Sequence, residues 1–343
     1  MPDLLSSLID EHAAPSNGSL QIAYESAPLA SLLADRKVLA IIEFDSEPHN
    51  SADARLIGVD LPLLSQMPVR EVWRCEGRVT SGHAGAVQWS SDGNWCQFAI
   101  SVDEPGDDEI AAATLSAYTQ LADFLRAHPR LHVLRLWNYF DAITQGDGDG
   151  ERYRQFNIGR EQGLQGVFDG GYPAATAIGT QNGNRVVQVY GLAARQRGTA
   201  IENPRQTSSW DYPREYGPVS PGFARAMRAP RNLLLISGTA AIVGHSSKFE
   251  GDLAAQTDEM LENLRSLVAA AQGESEAIDG RGLSIKAYIR GADDLEFVTA
   301  KLREALPKLA ALIVLAGCVC RRELVVEIEG VLGSHHGGIA CGG

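Results

Sequence analysis

The 343 residues are 44% apolar and 21% charged, with 43 acids against 30 bases for a net charge of −13. This is globular composition with material for two domains, so disorder is excluded, and the acid excess argues against a nucleic-acid or anionic-membrane partner, because phosphate binding needs a broad basic face. No run approaches the roughly 18 uninterrupted apolar residues that span a bilayer, and the start, MPDLLSSLIDEH, has neither a basic n-region nor a cleavable apolar h-region, so a soluble cytoplasmic protein is expected.

Residues 1–69 open with Pro, Gly, Ser and Asn among short apolar runs (SLIDEHAAPSNGSL) and read as an arm and irregular start with little bearing on function. From 70 to 200 the pattern is regular. VWRCEGRVTSG and GNWCQFAISV read as paired strands, and EIAAATLSAYTQLADFLRAH has apolar residues at helical spacing. LHVLRLWNY is a predicted strand, GDGDG a turn and ERYRQFNIGREQGL a helix, followed by the β-rich ATAIGT and RVVQVYGLAA. Residues 201–231, rich in Pro, Tyr and Arg, are long for a plain linker, and such loops usually line a site. Residues 232–343 repeat the earlier order: NLLLISGTAAIVG as strands, GDLAAQTDEMLENLRSLVAAA as a helix, LSIKAYIRG as a strand and DDLEFVTAKLREAL as a helix. LAALIVLAGCVC and ELVVEIEGVLG then close the unit as strands. The repeated order predicts an α+β fold of two fused domains, each a mixed sheet with helices packed on one face.

Charge is unevenly distributed. From Arg135 to Arg231 there are twelve Arg, no Lys and nine acids, a net of +3 against −16 for the remainder. The guanidinium fork grips carboxylates two oxygens at a time, so an Arg-only island points to an anionic ligand, the alternative being surface ion pairs. The five cysteines are too few for a disulfide scaffold and read as thiols. His335, His336 and Cys341 sit in a glycine-rich tail without metal-ligand spacing, and GDGDGE at 146–151 lacks the acids of a calcium loop, so no metal is expected. Neither GxGxxG after a strand, GxxxxGK[ST] nor GxSxG occurs. In ELVVEIEG a period of two places Leu324, Val326 and Ile328 on one face and Val325, Glu327 and Glu329 on the other. Either that second face is solvated, or one Glu is drawn into a dry pocket and serves as a general acid. Cys320, seven residues before Glu327, is expected near the end of the preceding strand, where a hairpin would bring both to one end of the sheet; a buried structural thiol is the alternative.

Five segments carry a resemblance: RLWNYFDAI (135–143), GERYRQFNIGR (150–160), PREYGPVSPGFARA (213–226), SGTAAIVGH (237–245) and CRRELVVEIEG (320–330). In these the chain resembles the chorismatases, and among them the 3-hydroxybenzoate synthase type, especially the bifunctional members that form 3- and 4-hydroxybenzoate for pigments such as xanthomonadin. The resemblance implies two RidA (YjgF)-like domains, a site facing the second copy, no metal or organic cofactor, and chorismate as the small-molecule partner of a monomer. It implies Glu327 as the acid that protonates the enolpyruvyl methylene, Cys320 as the cysteine accompanying aromatisation by contacting or deprotonating the ring, Arg154, Arg160 and Arg225 as carboxylate donors, and Tyr153 and Tyr216 as hydroxyl donors. Arg152 is left to a structural role. Ala240 stands where a glycine is associated with strict 3-hydroxybenzoate formation and an alanine with hydrolysis. Three other readings compete: a hydrolytic chorismatase, an imine deaminase relying on a single Arg, and a non-catalytic binder on the same scaffold.

Overall fold

The computed structural model describes residues 18–46, 52–64, 68–106, 109–168, 170–273 and 278–333. Three sheets follow one another along the chain. The first is built from β1 (Leu20–Glu25), α1 (Leu29–Ala34), β2 (Val38–Phe44), β3 (Leu56–Val59) and β4 (Arg70–Cys75), in the order β1-β4-β2-β3. The second contains β5 (Thr80–Ala84), β6 (Val87–Ser91), β7 (Trp95–Asp103), α2 (Ile110–Ala127), β8 (His132–Asp141), α3 (Arg152–Leu164), β9 (Ala174–Thr180) and β10 (Val186–Ala194), in the order β5-β6-β7-β10-β8-β9. The third contains β11 (Thr199–Ile201), β12 (Ala226–Arg228), β13 (Leu234–Ala240), the small pair β14 (Ile242–Val243) and β15 (Ser246–Ser247), α4 (Leu253–Gln272), β16 (Leu283–Ile289), α5 (Leu295–Ala305), β17 (Ala311–Ala316) and β18 (Val326–Leu332). Its order is β11-β12-β13-β18-β16-β17, with β14 and β15 apart.

The second and third sheets share one topology, and their last pairs, β8/β9 and β16/β17, are parallel within otherwise antiparallel ladders. The first sheet repeats the final four positions of that order, with β2/β3 as its parallel pair. This corrects the expectation of an irregular start over 1–69: the described part of that stretch holds a helix and three strands. It also corrects the expected pairing of 72–82 with 93–102, because β4 pairs with β1 and β2, while β5 pairs with β6. The short apolar runs of the start become legible as strands only when a distant strand supplies their ladder partners.

Helices α2, α3, α4 and α5 form where the sequence reading places them. In α2 the buried residues Ile110, Ala113, Ala117, Tyr118, Leu121, Phe124 and Leu125 recur at three- and four-residue spacing. The Asp252 side chain caps α4 by accepting from the Ala255 N–H, and Gly273 ends it in the left-handed region at φ 73°. In α3, Gly159 and Gly163 lie against α2 so closely that a Cβ on Gly159 would overlap Ala111 O. That glycine edge lets α3 press onto α2, leaving Tyr153, Asn157 and Arg160, at i, i+4 and i+7, on a common face.

Helices cover one face of the second and third sheets, each with its own core. The opposite faces of all three sheets converge on a central core in which Trp137 stacks on Tyr190 at 4.9 Å and packs 5.4 Å from Trp73.

Candidate active site

Where β9 of the second sheet meets β13 of the third, Ala175 N–H donates to Ser237 Oγ (3.0 Å), and further along β9 Gly179 exchanges backbone hydrogen bonds with Cys318 in the connection between β17 and β18. Beside this seam lies a cavity of 250 Å³. One wall is β8, β9 and the polar face of α3; the other is β13 and β18. The mouth is formed by the 205–225 segment and the connection between β17 and β18. All eight residues singled out from the sequence, Tyr153, Arg154, Arg160, Tyr216, Arg225, Ala240, Cys320 and Glu327, line this one cavity. Arg152 is elsewhere: it pairs with Glu104 and donates to Asp141 O (3.0 Å), holding α3 to the second sheet.

Glu327 is 5% exposed and Glu329 4%, so the strand face they share is not solvated. β18 lies between β13 and β16, and β17 runs parallel to β16; β17 and β18 therefore form no hairpin, and Cys320 lies in the connection between them rather than at a strand end. The register of β13 shifts between Ile236 and Thr239, opposite Glu329. Gly238 sits in that bulge, where a Cβ would overlap Glu327 Oε1. The acid's seat therefore depends on a missing side chain.

Burial pushes the Glu327 carboxyl up to about 8, with the charge of Glu329 adding to the rise and Arg135 and Arg225 opposing it. Among the described residues Glu327 has no ion-pair partner. Glu329 behaves oppositely: burial raises it, but Lys286 and Arg135 together hold it below the ordinary carboxylate range. Two neighbouring carboxyls thus have divided states, one protonated and one ionised, which is how a site holds a neutral carboxylic acid at neutral pH. Burial, then the nearby Glu327, pushes the Cys320 thiol up to about 12. Cys320 therefore keeps its proton and offers contact rather than a thiolate base. Tyr153 is held well above its usual value, chiefly by burial, and stays a neutral hydroxyl.

Arg160 donates from Nη2 to Gly222 O (2.5 Å), and Arg225 from Nη2 to Thr207 O (2.7 Å) and Tyr212 OH (2.8 Å). Both are buried, both have an Nε without a partner, and neither has a carboxylate within ion-pair distance among the described residues. Two buried guanidinium groups with no carboxylate at ion-pair distance have the chemistry to hold anions, since a buried charge is costly until it is neutralised. Arg154 is nearer the mouth, between Asp149 (3.6 Å) and Glu151 (3.7 Å). Tyr216 stands under Arg321, whose guanidinium lies 4.1 Å above its ring, and its OH is 3.3 Å from His245 Nδ1.

The sequence reading missed Asn138, Thr176, Tyr212 and Gly238, which also line the cavity. Asn138, Tyr212 and Gly238 stand in or beside segments already singled out, Gly238 acting through the side chain it lacks, whereas Thr176 stands outside them and only tertiary structure brings its hydroxyl to Arg135. His335, His336 and Cys341 lie outside the described residues.

Fold and site together describe a cavity whose buried carboxyl and buried guanidinium groups have the chemistry of an enzyme site for a small dianion. Residues 71–193 match the family described as chorismatase FkbO/Hyg5-like, N-terminal. A 3-hydroxybenzoate synthase of Streptomyces hygroscopicus is 34% identical over 282 residues, covering 77% of this chain and 82% of that protein. A chorismatase of Streptomyces rapamycinicus is 34% identical, covering 76% and 81%. A chorismatase crystal structure superimposes with a TM-score of 0.80 at 29% identity, covering 92% of this chain and 98% of that one. The chain belongs to the chorismatase family.

Proposed function

We propose that the cavity binds chorismate and converts it to pyruvate and 3-hydroxybenzoate. The observation that carries this reading is the convergence on one cavity of a buried Glu327 carboxyl and two buried guanidinium groups, Arg160 and Arg225, none with an ion-pair partner among the described residues. Chorismate has two carboxylates and an enol ether, and the cavity supplies two anion clamps and a neutral acid. Tyr153 and Tyr216 supply hydroxyls to a bound substrate, with Arg154 guarding the mouth.

Glu327 gives its proton to the enolpyruvyl methylene, which becomes the methyl of pyruvate. The C4 hydroxyl then displaces the pyruvyl group at C3 and releases its own proton, forming an epoxide-like intermediate. Breaking the epoxide bond at C4, with loss of the C3 hydrogen and uptake of a proton on oxygen, gives 3-hydroxybenzoate. No water is consumed, and the two products together hold all the atoms of chorismate. Cys320, as a thiol, lies against the reacting ring and occupies space that water would need. Ala240 pairs directly with Glu327 across the β13/β18 ladder, so it stands where the balance among 3-hydroxybenzoate, 4-hydroxybenzoate and hydrolysis is set. Incubation with chorismate in oxygen-18 water, fast quenching and chromatography tests the scheme: pyruvate and 3-hydroxybenzoate in equal amounts without label in pyruvate are expected, after correction for ketone exchange. A labelled pyruvate with a non-aromatic diol refutes the aromatising route.

A further inference from the structure

The strand face that carries Glu327 continues into the centre of the molecule, where four charged side chains from all three sheets meet away from water. Lys286 of β16 places Nζ 2.9 Å from Glu71 Oε2 of β4 and 2.8 Å from Glu329 Oε1 of β18. Arg135 of β8 donates from Nη2 to Glu329 Oε2 (2.8 Å) and to Thr176 Oγ1 (2.5 Å). The Trp73 and Trp137 indoles donate to Glu71 Oε1 and Glu329 Oε1, each at 2.7 Å. Tyr24, Tyr139, Tyr190 and Tyr288 complete the surroundings as neutral hydroxyls, held above their usual range chiefly by burial. The cluster is balanced, two anions against two cations.

Stability does not account for it, because well-packed apolar side chains can replace such buried ions without loss. Its position does. Glu327 is two residues from Glu329 on the same strand face, about 7 Å along the strand, and faces Glu329, Arg135, Arg225 and the Cys320 thiol. Of the two cations that reach it, Arg135 is already claimed by Glu329, and Arg225 is the one a substrate carboxylate claims. An ionised Glu327 would be a second carboxylate beside Glu329 with no cation of its own.

We propose that Glu329 is a positioning residue for the proton donor: anchored as a carboxylate by Lys286 and Arg135, it keeps Glu327 in the acid form at neutral pH. This rests on the reading of Glu327 as the donor, and the test separates the two claims. The protonated carboxyl of Glu327 is followed by infrared difference spectroscopy on the substrate-free full chain, assigned by its loss in Glu327→Gln, and titrated with pH in the parent and in Glu329→Gln. Removing the like charge leaves Arg135 uncompensated beside Glu327, so the midpoint falls by about one pH unit or more, and the alkaline limb of kcat/KM for pyruvate release moves with it. A folded Glu329→Gln with an unmoved midpoint overturns the proposal. If that variant does not fold, the charge-balanced Glu329→Gln/Lys286→Met double variant serves: its midpoint also lies below the parent's, and an unmoved one overturns the proposal equally. A shifted midpoint with an unchanged rate profile upholds the coupling between the two carboxyls and removes Glu327 from the donor role.

Discussion

Glu327→Gln separates chemistry from stability in a way that a merely structural residue does not. The amide keeps the size and hydrogen-bonding outline of the acid but cannot give up a proton, so turnover falls by about 10²-fold or more, the scale of losing a general acid. The same substitution has a calculable effect on folding. In the unfolded chain a Glu titrates near its ordinary value, whereas in the folded protein Glu327 is raised to about 8. Between those limits the folded state holds a proton that the unfolded state has lost. The stability this group contributes is therefore fully present below the ordinary value and is lost as pH rises through about 8. The span corresponds to roughly 4–5 kcal/mol, falling at about 1.4 kcal/mol per pH unit. The amide introduced by Glu327→Gln does not titrate and has no such dependence. Urea unfolding of both proteins from pH 5 to 9 checks this: the stability of the parent relative to Glu327→Gln declines across the range, so the variant gains on the parent as pH rises. Parallel stability curves refute a raised Glu327, whatever the activity data show.

Gly238→Ala pushes a methyl group into the space occupied by Glu327 Oε1; displacing the acid by a fraction of an ångström to one ångström lowers kcat by up to about 10²-fold with little change in KM, and a normal kcat shows that the carboxyl does not act from this seat. Arg160→Lys keeps the charge and loses the fork, so KM for chorismate rises about tenfold or more while the melting temperature barely moves; a large fall in melting temperature at constant KM assigns Arg160 to the scaffold. Cys320→Ala retains pyruvate formation, but its aromatic fraction falls and a non-aromatic product appears on chromatography. An unchanged ratio and rate make Cys320 a core thiol and move attention to Ala240.

Periodicity alone determined much of this protein. Three- and four-residue spacing located α2 and α4, and the alternation in ELVVEIEG placed Glu327 and Glu329 together on one strand face. The resemblance carried by five short segments marked eight of the residues that line the cavity. Such features are local, and a few consecutive residues suffice to encode them. The first sheet was hidden because its strands are short and their partners distant: β1 reaches its ladder only through β4, some fifty residues later. The roles of the two carboxyls were hidden more deeply, since they share a strand, a face and near-total burial. Only tertiary structure brings Arg135, 194 residues away, and Lys286 to Glu329 while leaving Glu327 without an ion-pair partner among the described residues. A carboxyl's charge state is set by desolvation and by the cations within a few ångströms, and those are supplied by other strands rather than by its own sequence neighbours.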